Sequence, residues 1–173
     1  ELMLLAETLS AKEIRGNRLA AVSGAGFEAV GMADSIQSDD FSMELAQFSP
    51  QTRQTIVSLL KAKGLDQLVT LSNPLDINPS ADDQSHGQIA KALCDDPGVD
   101  AVILSLDPMS PAMQTLEISA DERFLMDRPG SILNRLVELC GVTRTPVVAV
   151  VDGERLYDPL RDALTAKGIP VFS

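Results

Sequence analysis

Short apolar runs alternate with segments of helical spacing along most of this chain, and that alternation leaves few folds open. Leu19-Ala20-Ala21-Val22 and residues 146–151 are continuously apolar and residues 101–106 nearly so, the pattern of strands buried on both faces. Residues 41–46 alternate apolar and polar and predict a second strand; residues 68–71 predict a third, and 169–172 a short closing one. Helices are predicted between them. Residues 24–37 turn Phe27, Val30, Ala33 and Ile36 inward. Ser49-Pro50 supplies an N-cap and first-turn proline for a helix that buries Ile56, Leu59 and Leu60 and stops at Gly64. Residues 82–94 place Ile89, Ala90, Leu93 and Cys94 on one face, residues 131–140 stop at Gly141, and Asp158-Pro159 opens a last helix ending at Gly168. Strands alternating with helices imply right-handed βαβ units. The expectation is an α/β, three-layer, doubly wound parallel sheet, flavodoxin-like, of five or six strands.

Length and charge bound the rest. At 173 residues there is room for one domain with a sizeable core. The stripe Leu2, Leu5, Ala6 and Leu9 predicts an opening helix. Residues 1–16 therefore read as a helix and linker from an upstream domain, and 17–173 as the domain itself. A chain beginning Glu1-Leu2-Met3 also reads as a piece of a longer polypeptide, with no signal peptide. A net charge of −11 repels nucleic acid and anionic membrane and argues against capturing a polyanion by a broad basic field. Any phosphate would need a local site of backbone N–H groups. Cys94 and Cys140, on apolar helical faces and at no metal-ligand spacing, read as reduced core thiols of a cytoplasmic protein. No metal cluster, P-loop or Ser-His-Asp set is visible.

Two loops could carry chemistry. Ser23-Gly24-Ala25-Gly26 follows the first strand and opens a helix, where glycines permit close approach of a ligand and the helix end offers unpaired N–H groups. The run Gly24 to Ala29 also matches G-x-G-x-x-A, with Glu44 where a dinucleotide fold keeps its ribose-binding acid, so a dinucleotide or flavin binder stays open. A plain strand-to-helix turn stays open too. In Ser72-Asn73-Pro74-Leu75-Asp76, Pro74 forces Asn73 out of the helical region. Asn73 and Asp76 can then bond to neighbouring backbone or point into the crevice at the sheet edge.

Five segments taken together resemble a known family. Gly16-Asn17-Arg18 through Gly26, Asn73-Pro74-Leu75-Asp76, Asp95-Asp96-Pro97-Gly98-Val99-Asp100-Ala101, Thr145-Pro146-Val147-Val148 and Gly168-Ile169-Pro170-Val171-Phe172 are similar, in order, to the carboxyl-side CoA-ligase domain of the nucleotide-forming acyl-CoA synthetases, relatives of succinyl-CoA synthetase. The resemblance implies an enzyme that joins a carboxylic acid to CoA at the expense of a nucleoside triphosphate, or the reverse, through an acyl phosphate and a phosphohistidine on a neighbouring domain. It implies that Ser23, Gly24, Ala25 and Gly26 face the phosphoryl group and that Asn73, Pro74 and Asp76 form the crevice wall. It also implies CoA and ATP or ADP as cofactors of the parent protein, with no cofactor in this domain alone. The implied partners are the CoA-binding and histidine-bearing domains and a nucleotide-grasp domain. An inert interaction module of the same fold is the alternative.

Two features depart from the family pattern. His86, in the polar run Asp82-Asp83-Gln84-Ser85-His86, does not match the family's histidine motif and reads as a solvated surface residue outside both loops. The stretch 109–128 is long, with Ser119 and Glu122 suggesting a short capped helix and Phe124, Leu125 and Met126 needing something to cover. Met109 and Met113 read as core filler or as pocket lining. The isolated chain is expected to lack ligase activity.

Overall fold

The structure, a computed structural model, describes every residue except 13, 14, 37, 38 and 41. Among the described residues one parallel sheet contains β1 (Arg18–Ser23), β2 (Glu44–Leu45), β3 (Leu75–Asp76), β4 (Ala101–Leu106), β5 (Val147–Val151) and β6 (Val171–Phe172). The strand order is β2-β1-β4-β5-β6, and β3 pairs with β1 as well. Leaving β3 aside, this is the flavodoxin-like order. The helices are α1 (Leu2–Ala11), α2 (Gly26–Asp34), α3 (Pro50–Ala62), α4 (Asp83–Cys94), α5 (Ile132–Val142) and α6 (Asp158–Ala166). No helix among the described residues is long and apolar enough to cross a membrane.

Local chemistry sets the helix ends. Ser49 Oγ accepts from Thr52 N, Asp82 Oδ1 from Ser85 N and Ser131 Oγ from Asn134 N, so α3, α4 and α5 each start on a side-chain cap. Gly64, at φ +69°, lets the chain leave α3 in the left-handed region. Gly141, expected to end α5, lies inside it; Thr143 closes that helix instead. Lys12 Nζ, just past α1, donates to the Cys140 and Thr143 carbonyls and fastens the opening helix to the end of α5.

One face of the sheet carries the core. Val102, Leu104 and Leu106 of β4 and Val147, Ala149 and Val151 of β5 are buried with Ile89 and Leu93 of α4, Leu136 of α5, and Leu160 and Leu164 of α6. Ile103, Val148 and Val150, alternating with these, point to the opposite face and are only half-buried. There α2 covers part of the sheet and leaves a groove of about 470 Å³ floored by Leu19, Ala21, Ile103 and Val150.

The structure corrects three expectations. Residues 68–71 form no strand, and Leu68 is 64% exposed. Val69 and Leu71 do pack on the core, which explains their apolar alternation, but the edge they would need on β1 is taken. β2 covers Arg18 and Leu19, and β3 covers Val22 and Ser23. The second strand shrinks from 41–46 to Glu44–Leu45, with residue 41 outside the described residues. In α2 the inward residue is Ala29; Phe27 and Val30 are exposed, because the helix lies close over β1 and presents small residues to it.

The stretch 107–128 folds back on the body. Leu116 and Leu125 form a parallel bridge, Met126 packs on the core and Met113 is fully buried. The short helix there is a 3-10 turn, Glu122–Phe124, capped by Asp121 rather than Ser119.

Candidate functional site

The chain leaves β1 toward β2 on one side and leaves β4 toward β5 on the other, so the sheet's direction of winding reverses between β1 and β4. The crevice outside the carboxyl ends of such strands is where open α/β sheets take ligands. Here it measures about 640 Å³ and is lined by Ala25, Phe27, Asp107, Met109, Asp152 and Arg155. Phe27 and Met109 stand at its mouth, 75% and 71% exposed.

The loop after β1 is locked by its own polar groups. Ala25 N donates to Ser23 Oγ at 2.9 Å, and the Ser23 and Ser105 hydroxyls both reach Glu28 Oε2 at 2.5 Å. Helix α2 begins at Gly26 with Ala25 in the cap position and no side-chain cap. Glu28 N and Ala29 N turn back to the Ala25 carbonyl. The glycines make room for neighbours. A Cβ on Gly24 would lie 3.2 Å from Asp107 Cβ, and one on Gly26 would lie 2.8 Å from Asp76 Oδ2. Carboxylates therefore approach the loop at Ser23 and at Gly26, while the Asp107 Cβ packs at Gly24.

Both loops named from the sequence meet the same strand, at different heights. Ser23 pairs with Asp76, and Ile77 N donates to the Ser23 carbonyl, so Asp76 stands beside the glycine loop at the carboxyl end of β1. Its Oδ1 accepts from Asn78 N. Asn73 lies lower, and the Asn73–Pro74 peptide bond is cis. The Asn73 carboxamide accepts from Ala21 N and donates to the Leu19 and Ala46 carbonyls, at 3.0, 2.7 and 2.9 Å. Of the two roles open to it, it takes the backbone one, and Pro74 goes with it.

Glu44 settles at the other end. It pairs with Arg18, while the glycine loop follows Ser23, five residues up the same strand and roughly 16 Å away. A ribose-binding acid must stand at the loop's end of its strand, so this one is misplaced for a dinucleotide.

His86 is the residue the sequence reading placed wrongly. It is 1% exposed rather than solvated, and it lies under the glycine loop rather than apart from it. Nδ1 stands 3.0 Å from the Asp82 carbonyl. That oxygen can only accept, so Nδ1 carries the proton and Nε2 the lone pair. Nε2 has no partner, and a Cβ on Gly24 would lie 3.7 Å from it. Burial drives the imidazole pKa below its ordinary value, only partly offset by the Asp82 carbonyl and by the charges of Asp82 and Asp107. A signal for this was present: His86, Ile89, Ala90 and Leu93 share one helical stripe. Neighbouring Asp83 is buried too, and its Oδ1 accepts from Ile132 N at 2.6 Å while Oδ2 accepts from Gln114 N at 3.1 Å. Burial raises its pKa against those two N–H groups.

No protein-family model matches the chain, and no curated protein matches it significantly. Solved structures do. PH0766 from Pyrococcus horikoshii OT3 superposes over 99% of the chain with a TM-score of 0.75 and 23% identity. The dinucleotide forming acetyl-coenzyme A synthetase 1 of Ca. Korarchaeum cryptofilum, in its apo form, superposes over 98% with a TM-score of 0.71 and 19% identity. The same enzyme in complex with phosphate and ADP gives 0.68 and 20%. The fold is acyl-CoA synthetase-like. The chain spans 35, 33 and 32% of those three chains, about a third of each.

Proposed function

We propose that this chain is the CoA-ligase domain of a nucleotide-forming acyl-CoA synthetase-like protein and that it works only beside other domains. Its role is electrostatic. The start of α2 holds a phosphoryl group, carried on a histidine of a neighbouring domain, in the crevice between β1 and β4. The observation that carries the reading is the uncapped opening of α2 at the point where the winding reverses. Helices α3, α4 and α5 satisfy their first N–H groups with a serine or aspartate; α2, like α1 and α6, has no side-chain cap, and it is the one that follows the glycine loop of β1. Gly24 and Gly26 supply backbone N–H groups to the anion, Ala25 holds the turn between them through its own N–H to Ser23 Oγ, and Asp76 stands on the flank. Asn73 and Pro74 support the wall from within the sheet. CoA, ATP or ADP, and the CoA-binding, histidine-bearing and nucleotide-grasp domains belong to the parent protein.

Inorganic phosphate added to the isotope-labelled chain tests this. The amide resonances of Gly24 to Phe27 shift in a saturable manner if the reading holds, and NAD and FMN leave them unmoved. Absence of any phosphate response there overturns it. A second reading, an inert interaction module, is favoured by Glu28: a carboxylate already bonded to Ser23 occupies the ground an anion would use. That reading predicts silence with phosphate and a response once Glu28→Gln removes the charge.

A further inference from the structure

We propose that His86 is the loop's own cation: an anion arriving at the start of α2 draws a proton onto Nε2, and the imidazolium then donates to it from beneath Gly24. This rests on the phosphoryl-holding role of the α2 loop and adds the group that makes it electrostatically workable. Two carboxylates approach the loop, Glu28 at Ser23 and Asp76 at Gly26, and Asp107, whose Cβ packs at Gly24, adds its charge near His86. Backbone N–H groups alone face that much negative charge poorly. Of the two arginines lining the crevice, Arg161 is committed to the Val151 carbonyl and to Asp158, and Arg155 belongs to the segment after β5. His86 is the titratable cation directly under the loop.

Its geometry is that of a group waiting for a partner. An unpartnered Nε2 sealed from water costs free energy. The space a side chain would fill at Gly24 begins 3.7 Å from Nε2. That position is also 3.2 Å from Asp107 Cβ, so an anion oxygen reaches hydrogen-bond distance of Nε2 only as the loop and Asp107 part by roughly an ångström. Nδ1 is held by the Asp82 carbonyl, which orients the ring, keeps its bond when the ring is protonated and favours the charged form.

The surrounding charges allow the change. On its own helix, Asp82 bonds Lys63 and Ser85 through its carboxylate, and Asp83 is turned to Ile132 and Gln114. From β4, Asp107 favours the protonated ring, and from α5 the Arg135 side chain lies against Gly87 with its Nε donating to the Gly130 carbonyl. Burial keeps the ring neutral while the loop is empty; a dianion adds the charge that reverses the balance. No bond to phosphorus forms or breaks. One proton moves from solvent to Nε2, and the anion remains a dianion.

The chain contains one histidine, so its ring resonances report this step without ambiguity. Sulfate serves as probe beside phosphate, because it stays dianionic from about pH 5 to 8 where histidine titrates. The expected result is a neutral, Nδ1-protonated ring without sulfate, and a titration midpoint about one pH unit or more higher at saturation. By linkage that is at least about tenfold tighter sulfate binding to the protonated protein. In His86→Gln, sulfate binding is expected to lose most of its pH dependence. If sulfate shifts the Gly24 to Phe27 amides while the ring stays neutral, the inference falls and the phosphoryl-holding role stands. If neither sulfate nor phosphate shifts those amides, both fall. The ring measurement uses the unaltered chain, so it decides even if His86→Gln fails to fold.

Discussion

The carboxamide of Asn73 occupies the place of a peptide group beside Ala21. It accepts that residue's N–H at 3.0 Å and donates to the Leu19 carbonyl on the same strand, as a neighbouring backbone would. The outer edge of β1 is thus completed by three separate pieces: β2 below, a side chain in the middle and β3 above.

Replacing that side chain should cost more than an ordinary surface change. Asn73→Ala leaves the Ala21 N–H and the Leu19 and Ala46 carbonyls short of partners, so a loss of about 2–4 kcal/mol is expected. Urea unfolding of the two proteins measures it. Asn73→Asp should be no better, since a carboxylate faces two carbonyls where the amide had donated.

Gly31 inside α2 and Gly24 in the loop before it should respond in opposite directions. Gly31 sits exposed inside the helix with open space around its missing Cβ, so Gly31→Ala is expected to stabilise by about 0.5–1 kcal/mol. At Gly24 a new Cβ meets Asp107 Cβ at 3.2 Å, which cannot swing aside as a side-chain tip can, so Gly24→Ala should destabilise. Thermal melting of both variants beside the parent checks the sign of each.

Acid should weaken the domain through Asp100 and Asp96. The Arg18 guanidinium and backbone N–H hold the Asp100 carboxyl below the ordinary aspartate value. At Asp96 burial works the other way, but Thr52 and the Ser49 and Gly98 N–H groups together outweigh it. A depressed folded pKa gives stability that is complete above the unfolded value, about 3.9, and is lost as pH falls through the folded one. The folding free energy should therefore change little through these groups above about pH 5 and decline below about pH 4. Asp100→Asn should flatten part of that decline.

Both thiols should be inert in the folded protein. Burial pushes Cys94 up to about 12 and Cys140 up to about 11. At about pH 8 little thiolate exists at either, so a thiol reagent should report them only on unfolding. Prompt labelling of the native chain would contradict the burial of Cys94 and the raised pKa of the half-buried Cys140.

Most of the sheet was legible in the sequence because its central strands are apolar on both faces: residues 101–106, an apolar run broken only by Ser105, coincide with β4. The cap at Ser49 was legible for a similar reason, since it serves a residue three positions away. What could not be read was what depends on a distant partner. Residues 68–71 look like a strand, yet the edge is held by Asn73, whose bonding to Leu19 spans 54 positions. Phe27 and Val30 have the spacing of an inward stripe, but the closeness of α2 to β1 selects Ala29. The crevice behaved likewise. Asp76 and the glycine loop were found as motifs, whereas His86 looked solvated because its polar neighbours masked the stripe it shares with Ile89 and Leu93.

The half-bare side of the sheet has a further consequence. Whatever lies over Ile103 and Val150 in a longer polypeptide removes oily surface from water and binds only the folded form. Folding and assembly would then be linked equilibria, and a melting temperature recorded on the lone chain would be a lower bound on its robustness in place.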